Sequence, residues 1–108
     1  MNGIGRATAH RLASEGARVC LIDLDQDALT AAAPGGDHMT HPCNIADEAQ
    51  VEAAVAAVVA RYGRIDALAN NAGVICDKEP ITSNSIEMWH KVLGVNLIGL
   101  AMMLKHTA

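Results

Sequence analysis

Two amides and a glycine follow the short apolar run of residues 65–69, and in this 108-residue chain they are the groups best placed for chemistry. Asn70 and Asn71 supply hydrogen-bond donors and acceptors, and Gly73 lets the backbone pass close to a ligand. An apolar run that ends in this way is typical of a buried parallel strand, whose carboxyl end borders the ligand crevice of an open α/β sheet. An ordinary Asn-rich turn explains the same residues equally well on chemistry alone.

Glycines and an acid near the start of the chain suggest a second candidate site. Periodicity predicts a helix over residues 3–15, and Gly3 and Gly5 leave free N–H groups at the positive end of its dipole. Asp23 ends the apolar run 18–23, about twenty residues after the glycines, which is the spacing at which a dinucleotide fold places an acid near the ribose hydroxyls. A frayed chain end for the glycines and a cap or solvated strand end for Asp23 remain the alternatives.

The elements that must position these residues follow from periodicity and turn residues. Asp25 and Asp47 are predicted N-caps, the second paired with Gln50. The predicted order is helix 3–15, strand 18–23, helix 26–33, strand 38–43, a helix ending at Gly63, strand 65–70 and a long helical region 84–106. Alternating helices and strands of these lengths imply an α/β fold with parallel strands and right-handed crossovers.

The helical region 84–106 is predicted to begin with Asn84 and Glu87 as a capping pair and to kink near Asn96, between Gly94 and Gly99. Its apolar residues form two stripes. One contains Ile86, Trp89, Leu93, Leu97, Leu100 and Leu104, and the other contains Met88, Val92, Val95 and Met102. A helix that is apolar on two sides is buried twice, so we expect this region to pack against the sheet and also to self-associate.

Composition narrows the classes of function. The net charge is −4 and no basic patch is present, which disfavours nucleic acid as a partner. No apolar run is long enough to span a bilayer. Cys20, Cys43 and Cys76 are odd in number and lack paired spacing, as expected of reduced packing residues, so we predict a soluble, cytoplasmic protein. His38 and His41 invite a zinc hypothesis with Cys43, but strand alternation separates His38 from the other two.

Four stretches carry a family resemblance: Gly3 to Ala7, Asp23, Asn70 to Gly73, and Val95 to Leu97. Their order and separations resemble those of the short-chain dehydrogenase/reductase family. The resemblance covers the whole chain, but the chain covers less than half of a complete member. It begins inside the family's Thr-Gly-x-x-x-Gly-x-Gly turn, without the first strand. The resemblance therefore implies that residues 1–108 are a single partial NAD(P)-binding Rossmann-fold domain with a doubly wound parallel sheet and flanking helices.

The resemblance also implies cofactor roles. Asp23 would bind the adenosine ribose and Leu24 would flank the adenine, and both favour NAD over NADP, whose users carry a basic residue where this chain has Asn2 or Leu24. Asn44 stands where the family has Asp, yet its amide oxygen can still accept from the adenine amino group. The full implied cofactor-binding set is Gly3, Ile4, Gly5, Asp23, Leu24, Asn44, Ile45, Asn70, Ala72 and Gly73.

For catalysis, Asn96 corresponds to the helix Asn of the family's tetrad, but the Ser, Tyr and Lys are absent. Tyr62 is the only tyrosine, with Asp66 four residues later, and it precedes a strand at the amino end, so we interpret it as a packing residue. We therefore expect part of an NAD-dependent oxidoreductase that moves hydride between an alcohol or ketone and nicotinamide, inactive as this chain alone. A noncatalytic nucleotide-binding or subunit-interaction module and a truncated gene product remain alternatives.

The resemblance also bears on the sheet and on assembly. The family's strand order puts the missing strand between strands 18–23 and 65–70. Buried unpaired backbone groups cost about 1–3 kcal/mol each, so we predict that these two strands close the gap and pair directly, with strand 38–43 outside strand 18–23. The family also implies a homo-oligomer built on the helical region 84–106.

Overall fold

The computed structural model describes residues 3–75 and 79–108. Its elements are α1 (Gly3–Ser14), β1 (Cys20–Asp23), α2 (Gln26–Ala32), β2 (Met39–Pro42), α3 (Glu48–Tyr62), a 3₁₀ turn (Ile81–Ser83), α4 (Ile86–Leu93), a π-helical segment (Gly94–Gly99) and α5 (Leu100–Thr107). A parallel sheet with flanking helices confirms the predicted α/β class. Within the described ranges, none of the helices combines the length and apolar character that a membrane crossing requires.

The sheet consists of β1 and β2, which run parallel with Cys20 opposite Met39. The Val19 carbonyl accepts from the Met39 N–H at 3.0 Å, and the Asp23 carbonyl accepts from the Cys43 N–H at 2.8 Å. The prediction that the 38–43 strand pairs with the 18–23 strand is therefore correct.

Helices cover both faces of this sheet. Successive side chains of a strand point to opposite faces, and Leu21 and Ile22 accordingly enter different clusters. Leu21 is 1% exposed and packs with Ala9, Leu29 and Ala32 of α1 and α2. Ile22 packs against the larger cluster, whose buried members are Cys43, Ile45, Val51, Ala54 and Met103. Burying a side chain such as Leu21 contributes about 1.5–3 kcal/mol, so these clusters fix the layers.

The predicted helix ends are mostly confirmed. Asp25 Oδ1 accepts from the backbone N–H groups of the first turn of α2, and Asp47 accepts from the Ala49 N–H at 3.1 Å. Gly63 ends α3 with φ 83°, a left-handed conformation that glycine adopts without strain. Gln50 pairs with this cap, because its side-chain nitrogen donates to Asp47 Oδ2 at 3.1 Å, and its side-chain oxygen accepts from the Asn44 N–H at 2.8 Å.

The predicted start of α4 is wrong by one residue. Ser85, not Asn84, is the N-cap, and its hydroxyl accepts from the Met88 N–H at 3.2 Å. The preceding 3₁₀ turn accounts for the shift, because the Asn84 N–H donates to the Ile81 carbonyl and Asn84 therefore ends that turn. Spacing alone could not choose between two neighbouring polar residues that are both good caps.

The predicted strand 65–70 and its direct pairing with strand 18–23 are also wrong. In the described chain, residues 64–75 form no hydrogen-bonded strand, and a cavity of about 460 Å³ separates β1 from residues 65–70. Residues 65–70 make their contacts elsewhere. Leu68 packs against the larger core cluster, and the Asn70 amide donates to the Leu100 carbonyl at 3.0 Å. These contacts hold the segment beside α5 instead of β1.

The irregularity predicted near Asn96 is present as the π-helical segment 94–99. An extra residue in a helical turn shifts the faces that follow, and this explains two errors in the predicted stripes. Leu100 belongs to the predicted stripe from Ile86 to Leu104, which we call the outer stripe because its other members are exposed, yet Leu100 packs against the larger core cluster. Met103, assigned to neither stripe, is the buried residue of α5 at 6% exposure. The rest of the outer stripe is exposed, with Leu97 62% exposed.

Candidate nucleotide-binding site

A short connection joins the end of α1 to the start of β1, and the two elements run in opposite directions along the sheet. The start of α1 therefore lies at the carboxyl end of β1. Gly3 has φ 59°, is exposed, and a Cβ added there would meet no atom within 4 Å. Gly5, two residues further along α1, lines the cavity beside β1. The first-turn N–H groups of a helix lack partners within it, and the dipole makes this end positive. The arrangement suits a phosphate group approaching the backbone.

Asp23 and Leu24 stand at the same edge, directly after the cavity-lining Ile22. Asp23 is half-buried, and its Oδ1 accepts from the Leu24 N–H at 2.6 Å, which fixes the carboxylate at the strand end. Leu24 is 65% exposed. An oriented carboxylate beside an exposed apolar side chain can accept from hydroxyl groups and cover one face of a flat ring.

Asn44 and Ile45 follow β2 at the neighbouring position along this edge. Asn44 Oδ1 accepts from the Ala46 N–H at 3.0 Å, so the amide shapes the turn into α3. Ile45 lines the cavity but is only 7% exposed, and a Cβ added at Gly99 would lie 2.7 Å from its Cγ1. Its side chain therefore packs against the helix backbone, a role that the sequence did not reveal.

The loop at residues 70–73 borders the same cavity. Asn70, Asn71 and Ala72 line it together with Gly5. The Asn70 amide, half-buried, donates to the Leu100 carbonyl and so ties the loop to α5. The structure thus brings Gly5 and the Asn-rich loop to one cavity.

Asn96, the predicted catalytic residue, holds the other end of this loop. Its Oδ1 accepts from the Val74 N–H and its Nδ2 donates to the Val74 carbonyl, both at 2.7 Å. A Cβ at Gly73 would lie 3.5 Å from Asn96 Oδ1, so the neighbouring backbone passes close to the amide. The amide side chain acts here as a clamp that satisfies both backbone groups of one residue.

Tyr62 lies at the opposite end of the cavity, at the amino end of β1. Its hydroxyl donates to the Asp37 carbonyl at 3.3 Å, and the guanidinium groups of Arg18 and Arg61 lie 4.9 and 5.1 Å from the ring centre. Burial raises the pKa of the Tyr62 phenol, whereas a general base requires a lowered one. The interpretation of Tyr62 as a packing residue fits these contacts.

The thiols and imidazoles take structural positions. Burial raises the pKa of Cys20 to about 11 and also raises that of Cys43. His38 Nδ1 accepts from the Val19 N–H at 3.0 Å, which satisfies a backbone donor just before β1. In the part of the chain that the structure describes, no three His, Cys, Asp or Glu side chains group closely enough to hold a metal ion. Cys76 and Asn2 lie outside the described residues.

Comparison with known proteins gives consistent results. A family model described as enoyl-(acyl carrier protein) reductase matches residues 1–108. Levodione reductase from Leifsonia aquatica is 42% identical over 106 residues, which are 92% of this chain and 40% of that protein. The crystal structure of levodione reductase matches with a TM-score of 0.91 at 40% identity, covering 97% of this chain and 43% of that one.

Two further solved structures resemble the chain along nearly all of its length. NAD+-bound xylitol dehydrogenase matches with a TM-score of 0.90 at 34% identity, over 96% of this chain and 42% of that chain. A metagenomic short-chain oxidoreductase in complex with NADP has the same TM-score and identity, over 97% of this chain and 50% of that chain. The chain thus spans half or less of the length of these relatives. With a family match along its whole length and relatives that are dehydrogenases and reductases, the chain belongs to the short-chain dehydrogenase/reductase family of oxidoreductases.

Proposed function

We propose that this chain is the nucleotide-binding part of an oxidoreductase that transfers hydride between a CH–OH group and a nicotinamide cofactor. One observation carries the proposal: Gly5 and the loop 70–72 line one cavity where α1 begins. The open backbone at Gly3 fits a pyrophosphate, and Asp23 at the end of β1 fits a ribose. The xylitol dehydrogenase and the metagenomic oxidoreductase that superpose on this chain bind NAD+ and NADP, respectively.

Of the two nicotinamide cofactors, we propose that the chain binds NAD in preference to NADP. The Asp23 carboxylate is fixed by the Leu24 N–H, so it can accept from ribose hydroxyls but would repel a 2′-phosphate. Leu24 provides no positive charge to offset that repulsion. Together these residues favour the unphosphorylated ribose.

Fluorescence titration with NADH and NADPH tests this preference. We expect weak binding of NADH and weaker binding of NADPH by the full chain. Replacing Asp23 by Asn removes the charge and should reduce the difference between the two affinities. The matched control is Asp25→Asn, since Asn is also a good N-cap and Asp25 caps α2. Equal affinities for NADH and NADPH in the unaltered chain would contradict the assignment of NAD.

We further propose that the chain is not catalytically competent alone. Asn96 corresponds to one member of the family's tetrad, and its amide is already bonded twice to Val74. The sole tyrosine lies at the other end of the cavity with a raised pKa. We therefore expect no NADH formation by the purified chain with secondary alcohols. Formation of NADH that Asn96→Ala abolishes would show that the chain is an active enzyme.

A subunit-contact role is the second candidate, because the outer stripe of the helical region is exposed. Trp89 is 43%, Leu97 62% and Leu104 58% exposed, and exposed apolar stripes of this kind mark interfaces or aggregation. We propose that the helical region 84–106 forms a homo-oligomer contact. Light scattering should show a self-associated chain, and Leu97→Glu should shift it toward the monomer. The control Ile81→Glu, at an exposed apolar residue outside the stripe, should leave the association unchanged.

We place the protein in the cytoplasm. Cys20 and Cys43 are both free thiols in the structure. Unpaired cysteines that pack in or near the core are typical of reducing compartments. Fractionation of the source cells with detection of this chain would test the assignment.

A further inference from the structure

Asn44 uses three of its four hydrogen-bonding groups within the protein. Its backbone N–H donates to Gln50 Oε1 at 2.8 Å, and its backbone carbonyl accepts from the Asp47 N–H at 3.0 Å. Its side-chain oxygen accepts from the Ala46 N–H at 3.0 Å. Among the residues that the structure describes, none bonds to its side-chain NH₂ group. The half-buried Asn44 therefore keeps one group for a ligand, and that group is a donor.

The turn at residues 44–47 determines which arm of the Asn44 amide is free. Rotating the side chain by half a turn would bring its NH₂ group against the Ala46 N–H, so that two donors would face each other. The backbone of the turn is restrained as well, because the Gln50 side chain bonds both the Asn44 N–H and the carboxylate of Asp47, the N-cap of α3. The free donor thus belongs to an ordered turn.

This donor lies at the edge of the sheet where the ribose and base sites were assigned. β1 and β2 are paired to their ends, with Asp23 opposite Pro42, and the Cys43 N–H donates to the Asp23 carbonyl. Leu24 follows β1 directly and Asn44 lies two residues after β2, and neighbouring strands lie about 4.8 Å apart. A flat ring that covers the exposed Leu24 is consequently within reach of the Asn44 side chain.

Purine bases differ in what they present to such a donor. Adenine carries an amino group, which is a donor, beside the N7 acceptor, whereas a 6-oxopurine carries the O6 acceptor beside N7. A carboxylate at position 44 could bond the Ala46 N–H with one oxygen and accept from the adenine amino group with the other. The amide has NH₂ in place of that second oxygen, so it lacks a partner for the amino group and offers one to O6.

We propose that Asn44 selects the base of the dinucleotide and favours a 6-oxopurine, such as hypoxanthine, over adenine. The NH₂ group of Asn44 donates to O6 of the base while Leu24 covers the ring and Asp23 binds the ribose. The inference rests on the proposed nucleotide site and concerns its base alone. The preference for an unphosphorylated ribose is unaffected, because the charge of Asp23 is unchanged.

The test compares NADH with reduced nicotinamide hypoxanthine dinucleotide in fluorescence titrations of the full chain. The two ligands share the fluorescent nicotinamide and the same charge, and they differ only in the purine. We expect the hypoxanthine dinucleotide to bind at least about threefold more tightly, as one additional net hydrogen bond provides. Equal affinities, or tighter binding of NADH, would overturn this inference and leave the proposed function intact. No binding of either ligand would refute both.

Asn44→Asp should reverse the preference. The carboxylate can form the same turn and offers its second oxygen to the adenine amino group. The added negative charge acts on both ligands alike and cancels in the ratio of their affinities. Asn84→Asp, the same substitution outside the site, should leave that ratio unchanged. An identical ratio in Asn44→Asp and the parent chain would show that Asn44 does not select the base. If Asn44→Asp does not fold, the two affinities of the parent chain still decide.

NMR of the Asn44 side-chain amide gives a readout that does not depend on nicotinamide. Saturating inosine diphosphate should move one NH₂ proton of Asn44 to higher chemical shift, as expected when that proton enters a hydrogen bond. ADP should cause a smaller change, because its amino group cannot accept. Equal changes with the two nucleotides, or no change with inosine diphosphate, would contradict selection of the base by this group.

Discussion

Replacing Gly99 by Ala should destabilise the protein even though alanine is the better helix former. Gly99 is buried at the end of the π-helical segment, where the helix backbone meets the side chain of Ile45. An added Cβ would lie 2.7 Å from Ile45 Cγ1, 3.0 Å from its Cδ1 and 3.1 Å from the Gly94 carbonyl oxygen. The Ile45 side chain would have to move within a packed core, and the nearby carbonyl limits the space on the other side.

The magnitude follows from two opposing effects. Overpacking a core by extra carbon atoms costs about 1–3 kcal/mol. Replacing glycine by alanine inside a helix gains about 1 kcal/mol. The control Gly94→Ala obtains the same gain without the clash, because its Cβ would lie 3.7 Å from Ala46 Cβ, an ordinary contact. Gly99→Ala should therefore be less stable than Gly94→Ala by about 1–3 kcal/mol.

Urea unfolding of the two variants and the parent chain measures this difference. In thermal melts of a domain of this size, a change of 1 kcal/mol in the free energy of unfolding shifts the melting temperature by about 4–8 °C. Ile45→Ala should remove the clash, so the double variant Ile45→Ala/Gly99→Ala should be more stable than the sum of the single effects by about 1–3 kcal/mol. If Gly99→Ala is as stable as Gly94→Ala, the close contact of helix and Ile45 does not control the packing of α5.

Three further effects follow from individual contacts. At pH 8 the raised pKa of Cys20, about 11, should slow its alkylation by about a hundredfold relative to a free thiol of pKa near 8.5, which peptide mass spectrometry would detect. His38→Ala leaves the Val19 N–H without its acceptor and should cost about 0.5–1.5 kcal/mol in urea unfolding, whereas His41→Ala should cost less. A hydrogen bond from a lysine of α5 lowers the pKa of the Glu48 carboxyl group. The stabilisation by this bond is present above the ordinary carboxyl pKa and is lost as the pH falls through the lowered pKa. In thermal melts, the stability of Glu48→Gln should therefore approach that of the parent chain in acid.

Local sequence patterns predicted several helix ends and the positions of the two strands. The caps at Asp25 and Asp47 and the termination at Gly63 depend on residues within one helical turn, and each was correct. The position of β1 followed from the apolar run 18–23, and that of β2 from the short segment 38–43 read as a strand with alternating faces. These features are encoded by neighbouring residues, so their physical causes are visible in the sequence.

Features that depend on distant contacts could not be predicted. Residues 65–70 do not pair with β1, and one of their contacts elsewhere is the bond from Asn70 to the Leu100 carbonyl, which joins residues thirty positions apart. The inner face of α5 depends on the π-helical segment, because one extra residue in a turn rotates Met103 into the core. For the candidate site, the sequence identified the loop 70–73 and the start of α1, but not the packing role of Ile45.

Hydrogen bonds from side-chain amides hold the loop at the candidate site, where a paired strand would be held by backbone hydrogen bonds to its neighbours. A parallel strand would normally fix its carboxyl end through ladder bonds on both sides, yet residues 64–75 have no such ladder in the described chain. Asn70 fixes one end of the loop to α5, and Asn96 fixes the other by bonding both backbone groups of Val74. Each amide supplies a donor or acceptor at the distance that a neighbouring strand would otherwise provide. Because both partners lie on the helical region 84–106, the packing of Gly99 against Ile45 bears on the geometry of the candidate site.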